Sequence, residues 1–260
     1  MYMARTERSD LTLSEERSLT AAIFEYWAFL KASQNVTKSS MNNNLTAISN
    51  FCEYLGLKQL NIKALRENIP VSPHRTLSAE EQNLFLDAVN MRQSSRDQAI
   101  ALLFFNTGIR IGECVALNVE DVVITAHTGR LIIRPNGSDS CCPRELHLDE
   151  ATRKALLNWL RNRENLYPNH AENALFLNVR GQRLAIPGLD FVIRSIGWRA
   201  RLELSAQILR RTFLVNQLNS GVHSSHALAQ IAGHKRPETI RRYIGRPAGP
   251  AESSLHMSSH

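Results

Sequence analysis

Side chains able to act together on a phosphodiester recur along this chain. One arginine stands in Thr107-Gly108-Ile109-Arg110-Ile111-Gly112-Glu113 and a second in Leu209-Arg210-Arg211-Thr212-Phe213. A histidine follows at Gly233-His234, and a tyrosine closes the run Ile240-Arg241-Arg242-Tyr243. Guanidinium groups offset the charge that builds on a phosphoryl group, and a tyrosine hydroxyl can attack phosphorus as a covalent nucleophile. An arginine, a histidine and a late tyrosine are the parts of a phosphotyrosine chemistry that uses no metal.

Each residue also has a plainer reading. Gly108 supplies a permissive backbone for a sharp turn between two apolar helices, and Glu113, three residues after Arg110, can brace its guanidinium. A helix C-cap with a surface Arg-Glu pair gives the same pattern. Arg210 has Leu209, Phe213 and Leu214 as helical neighbours, so its charge is drawn away from water and needs an anion, either an internal carboxylate or a phosphate. Gln207 lies one turn earlier on the same face and can share that partner. His234, after a glycine that reads as a helix C-cap, is equally a structural histidine at a helix junction. Tyr243 is equally a packing residue.

The elements that must position these residues follow from periodicity and punctuation. Leu19, Ile23, Trp27 and Leu30, then Leu45, Ile48, Phe51, Cys52 and Leu55, recur at helical spacing and predict a small helical N-terminal domain over residues 1–69. Gly56 reads as its second helix's C-cap, and Asn61 opens a short further helix. Pro70 and Pro73 discourage helix in a linker over 70–76. Ser78-Ala79-Glu80-Glu81 is a capping box opening a helix to about Met91, and another runs from about Arg96 to Asn106. Gly108 stops it, and a short helix spans Ile111 to Leu117. Runs at Val122 to Thr125, Leu131 to Arg134 and Glu145 to Leu148 predict a small antiparallel sheet. Asp149 caps a helix to about Arg163, Ala174 to Leu177 reads as extended, and Pro187 starts a helix reaching about Leu202. Helices are expected near Gln207 to Asn219, Ser224 to Ala232 and Pro237 to Ile244. The tail over 247–260 is expected to be disordered.

Composition narrows the classes. A chain of 260 residues that is 43% hydrophobic and 21% charged has a globular balance and room for two unequal cores. Its net charge of +7 suits a polyanionic partner without requiring one. The charge is concentrated: from Arg194 to Arg246 ten basic residues face only Glu203 and Glu238. That is a phosphate-binding balance whose affinity should fall with salt. No apolar stretch approaches a membrane span and no secretory leader is evident, so a cytoplasmic protein without membrane association is expected. The four cysteines, Cys52, Cys114, Cys141 and Cys142, lack Cys-x-x-Cys spacing and are expected to be reduced thiols. His223 with His226 and His256 with His260 have no third ligand nearby, so no metal site is expected. No Gly-x-x-x-x-Gly-Lys loop or Gly-x-Ser-x-Gly elbow appears.

In order and separation, Thr107 to Glu113, Leu209 to Phe213, Gly233-His234 and Tyr243 nine residues later resemble the tyrosine recombinases, or phage integrases. Leu117-Asn118-Val119-Glu120-Asp121-Val122 fits as well. The resemblance covers about Leu77 to Arg246, and the N-terminal helices are similar to the family's core-binding domain. It implies a mainly α protein: a small helical core-binding domain that clamps DNA, then a larger mixed helical catalytic domain over 77–246 with a small antiparallel sheet. It further implies that Arg110 and Arg210 clamp the scissile phosphate and that Tyr243 attacks phosphorus, leaving a 3′-phosphotyrosyl link and a free 5′-hydroxyl. His234 would hydrogen-bond the phosphate, with Glu113 and Gln207 in support. Arg211, Lys235, Arg236, Arg241 and Arg242 would contact DNA.

The implied partner is a double-stranded DNA recombination site, engaged by a homotetramer that passes through a Holliday junction with no cofactor. Plasmid multimer resolution and mobile-element integration both fit. Two departures favour an alternative, a catalytically impaired DNA-binding protein with an architectural or regulatory role. The family usually has histidine where Gln207 stands, and glutamine cannot accept a proton. It also usually carries a lysine in the hairpin between Arg134 and Arg144, where this chain has none. Arg134 or Arg144 could supply charge there, but an arginine is a poor proton donor.

Overall fold

The computed structural model describes residues 16–33, 36–57, 65–68, 75–135, 143–168 and 172–233. The chain divides into two compact units, Met1–Ser72 and Pro73–His260.

In the first unit, α1 (Glu16–Ala32) and α2 (Lys38–Tyr54) pack through Leu19, Ile23, Trp27 and Leu30 against Met41, Leu45 and Cys52. The Thr37 side chain caps α2 by accepting from the Ser40 amide, and Gly56 follows its end with φ of +79°. Phe51, expected on the buried face, is 47% exposed, and Leu55 is exposed too. The buried face runs Met41, Leu45, Cys52 with Ile48 at its margin. Phe51 lies one residue, about 100° of helical rotation, away from Cys52. The short helix expected from Asn61 lies outside the described residues.

The second unit is built around α4 (Ser95–Thr107), whose Ile100, Leu103 and Phe104 are fully buried. It packs against α6 (Glu150–Leu166), α7 (Ile186–Ala200) and α8 (Ala206–Asn219), while α3 (Ala79–Asn90) lies against α7. The capping box at α3 is present: Ser78 accepts from the Glu81 amide and its own amide donates to Glu81 at 2.9 Å. Arg75 grips the same carboxylate through both terminal nitrogens, at 2.8 and 3.1 Å. Just before α3, the Leu77 amide donates to the buried Thr212 hydroxyl of α8 at 2.9 Å. Asp149 caps α6, and its carboxylate also accepts from Asn106 at the end of α4.

Between α5 (Ile111–Ala116) and α6 lies an antiparallel meander of β1 (Val122–Ile124), β2 (Gly129–Ile133) and β3 (Arg144–His147). Leu131 pairs with Leu146, and both are buried with Ile133, so one face of the sheet joins the core. Strand β3 begins at Arg144, one residue before the expected start, paired with Ile133. The extended reading of Ala174 to Leu177 corresponds to isolated bridges, Asn118 to Ala174 and Leu177 to Arg183. The last described helix, α9 (Ser225–Ile231), contacts β3 and α8. The helix expected from Pro237 and the tail over 247–260 lie outside the described residues. Among those residues no helix is long and apolar enough to cross a membrane.

Candidate functional site

Gly108 ends α4 in the left-handed conformation, φ +61°, with its amide donating to Phe104. Only glycine adopts this cheaply, and here a side chain also has no room: a Cβ would sit 2.5 Å from the Phe213 ring. The reversal puts Arg110 at the N-cap of α5. Its amide donates to Glu113 Oε2 at 2.9 Å and its Nη1 to Glu113 Oε1 at 2.7 Å. The expected Arg-Glu brace therefore exists, with the glutamate 11% exposed rather than on the surface.

Arg210 enters the same region from α8 and is 8% exposed. A carboxylate or a phosphate was the expected partner of so buried a charge. Its Nη1 donates to the Gly108 carbonyl and its Nη2 to the Ala232 carbonyl at 2.7 Å, two main-chain acceptors that the sequence reading did not name. Arg110 Nη2 donates to the next carbonyl, Gly233, at 2.6 Å. The two arginines, 100 residues apart in sequence, thus meet on consecutive carbonyls of the turn that ends α9. Those carbonyls lie past the last intrahelical donors and carry the negative end of the helix dipole, so cations suit them.

Arg144, at the start of β3, completes the set. Its Nη2 donates to Glu113 Oε2 at 2.7 Å and its Nε to the Ile231 carbonyl at 2.9 Å. Sequence reading offered Arg134 and Arg144 alike as charges beside the hairpin, and the structure separates them. Arg134 is 59% exposed and bonds Asp121 at 2.7 Å and Glu120 at 3.2 Å, whereas Arg144 is 14% exposed and faces Glu113. Gly233, φ +64°, lets both guanidiniums approach: a Cβ would lie 2.7 Å from Arg110 Nη1 and 2.9 Å from Arg144 Nη1. Burial pushes the Glu113 carboxyl up, but the Arg144 and Arg110 hydrogen bonds outweigh it and hold the group below its ordinary value. Next to it, the fully enclosed Cys114 thiol is pushed far up by burial, then by the Glu113 charge.

Of the other sequence-predicted residues, Gln207 is exposed on the first turn of α8. Arg211 is partly buried, and its Nε has no hydrogen-bond partner among the described residues. His234, Lys235, Arg236, Arg241, Arg242 and Tyr243 lie outside the described residues. The Asn118 to Asp121 segment serves as a structural clasp: Asn118 N donates to Asp121 at 2.9 Å, Arg134 bonds that carboxylate, and Arg183 bonds the Asn118 side chain at 2.7 Å. No group of three His, Cys, Asp or Glu side chains that could hold a metal occurs among the described residues.

The fold, a mostly helical unit with a three-stranded meander, is shared with solved recombinase structures. The XerH site-specific recombinase bound to palindromic difH substrate in a post-cleavage complex superposes with a TM-score of 0.69 at 20% identity, covering 85% of this chain and 67% of that one. Tyrosine recombinase XerC of Caldanaerobacter subterraneus subsp. tengcongensis is 25% identical over 243 residues, 90% of this chain and 66% of its own length. The TnP I resolvase of Bacillus thuringiensis is 26% identical over 242 residues, 88% and 82% of the respective chains. Residues 75–247 match the model of the phage integrase family, and the chain belongs to that family. It is accordingly an enzyme of the tyrosine-type site-specific DNA recombinase class.

Proposed function

We propose that this chain cuts and rejoins duplex DNA at a specific site, with Arg110 and Arg210 as the phosphate clamp, His234 as a further hydrogen-bond donor and Tyr243 as the nucleophile. The observation that carries the reading is the meeting of both arginines on the Ala232 and Gly233 carbonyls, which brings them to the residue directly before His234. The Tyr243 oxygen forms a bond to phosphorus while the bond from phosphorus to the 5′ oxygen breaks. The phenolic proton departs, and the leaving oxygen takes up a proton to become a 5′-hydroxyl. One phosphodiester is exchanged for another, so no nucleotide hydrolysis is required. The two guanidiniums offset charge on the phosphoryl oxygens as it builds. Arg211, Lys235, Arg236, Arg241 and Arg242 contribute backbone contacts, and residues 1–69 act as the core-binding domain, joined through 70–76 to the catalytic domain over 77–246. A tetramer exchanging strands through a Holliday junction is the working assembly, and resolution of plasmid multimers is the preferred role, with element integration next.

The rival reading is a DNA-binding protein that keeps the fold without the reaction. Gln207 favours it, since a general base contributes typically about 10²- to 10⁴-fold. Duplexes selected by the protein from a random library, rebuilt with a nick beside the cleavage point, separate the two. An SDS-resistant protein-DNA adduct that disappears in Tyr243→Phe supports the enzyme. Wild-type protein that binds these duplexes and yields no adduct establishes the rival.

A further inference from the structure

We infer that Arg144 is a positioning residue of this site, holding Glu113 and the end of α9 in register so that Arg110 and Gly233 keep their places. The inference rests on the proposed function above. Three consecutive carbonyls, Ile231, Ala232 and Gly233, each accept from a different arginine: Arg144 of β3, Arg210 of α8 and Arg110 of the turn before α5. Elements far apart in sequence are thereby pinned to one short stretch of backbone. Arg144 alone joins that stretch to Glu113 from the sheet side.

The arrangement around Glu113 shows what its loss does. Oε1 is held by Arg110 Nη1, while Oε2 is shared by the Arg110 amide and Arg144 Nη2. Without Arg144, Oε2 retains a backbone amide and no cation, and the carboxylate is free to swing and draw Arg110 with it. Misplacement of a reacting group by about 1 Å costs on the order of 10²-fold in rate. Arg144 does not serve as the missing proton donor, because a guanidinium stays protonated throughout the working range and this one is already matched to a carboxylate. Its action is through Glu113 and Arg110.

The test uses the full chain under single-turnover conditions on the selected nicked duplexes, with Arg144→Met, Arg144→Lys and the double variant Arg144→Met/Glu113→Gln. Arg144→Met is expected to slow adduct formation about 100-fold while its affinity for the same duplex changes by less than about 3-fold, since Arg144 is mostly buried and bound to Glu113. Among the described residues the charged or titratable groups facing Glu113 are Arg110, Arg144 and the Cys114 thiol. Removing one of the two cations raises the carboxyl's pKa, so the acid limb of the rate profile moves to higher pH in Arg144→Met. That movement is absent from the double variant. Arg144→Lys restores a charge beside Glu113 without the second bond to Ile231, and is expected to keep the wild-type limb at a reduced rate.

A wild-type rate in either single variant overturns the inference, as does a rate loss in Arg144→Met with the acid limb unmoved. If Arg144→Met does not fold, Arg144→Lys decides. The Glu113 carboxyl titration, followed by ¹³C NMR on DNA-free protein, gives a separate readout: it must move up in Arg144→Met or, failing that, in a folded Arg144→Gln. An unmoved titration overturns the inference even where no adduct forms, and wild-type protein that makes no adduct on a bound duplex refutes the proposed function instead.

Discussion

Replacing Gly108 by alanine places two costs on one position, and the structure allows them to be worked separately. The first is backbone strain: at φ +61° an L-residue pays about 1–2 kcal/mol. The second is steric. A Cβ would sit 2.5 Å from Phe213 Cδ1 and 3.1 Å from Cγ, so a ring that is 9% exposed must shift within a packed site. Overpacking of this kind costs about 1–3 kcal/mol. Together they destabilise the second unit by about 3 kcal/mol, which for a domain of about 150–250 residues lowers Tm by about 6–12 °C. Gly221 provides the control, because it has φ +69° with nothing within 4 Å of its Cβ. Gly221→Ala should therefore show the strain alone, about 1–2 kcal/mol and about 2–8 °C. Gly112, inside α5 at ordinary φ and in open space, should gain about 0.5–1 kcal/mol on substitution by alanine. Thermal melts followed by circular dichroism at one pH and salt concentration measure all three. Equal losses in Gly108→Ala and Gly221→Ala would refute the reasoning, since the Phe213 contact would then cost nothing. DNA-dependent activity of Gly108→Ala should fall further than its stability, because Arg210 lies one turn before Phe213 and bonds the Gly108 carbonyl.

Glu113 titrates below its ordinary value in the folded chain, so its ionised form contributes stability that is complete above the unfolded-state pKa and is lost as pH falls through the folded one. Tm should consequently drop less between about pH 5 and pH 3 in Glu113→Gln than in wild type, despite a lower Tm at neutral pH; parallel acid limbs in the two proteins would count against the ionised carboxylate. Cys114 is 1% exposed with its thiol pushed far up by burial, so it should resist iodoacetamide at pH 8 in native protein and react promptly in denaturant. Peptide mapping of the labelled chain reads this directly, and rapid native labelling at Cys114 would contradict the enclosed site.

What the sequence makes legible here is whatever is local. Ser78 with Glu81, Asp149 before α6 and Gly108 after α4 are punctuation that acts within a turn of its own helix, and each appears where the spacing predicts. The bond from Arg110 to Glu113 is readable for the same reason, being an i,i+3 pair at a helix start. The partners of Arg210 are not readable. A buried guanidinium calls for an acceptor, and a search among side chains looks for carboxylates, whereas two of its acceptors here are main-chain oxygens of Gly108 and Ala232, which every residue type carries. Arg144 is hidden by distance, since it reaches Glu113 across 31 positions and Ile231 across 87.

The carbonyl contacts also bear on how a phosphate would be received. A guanidinium has five N–H donors, and on the proposed reading those of Arg110 and Arg210 that hold Gly233 and Ala232 are structural, fixing the clamp that receives the phosphate. Fixing an arginine before its ligand arrives removes an ordering cost of about 0.5–1.5 kcal/mol per side chain from the binding step. The two clamp residues then differ in kind. The Arg110 side chain is 33% exposed and can be approached from solvent, whereas Arg210 is 8% exposed. On the proposed reading that difference in exposure makes Arg110 the residue of first contact. Substituting Arg110 should therefore weaken DNA capture and catalysis together, while a folded Arg210 variant should lose rate more than affinity.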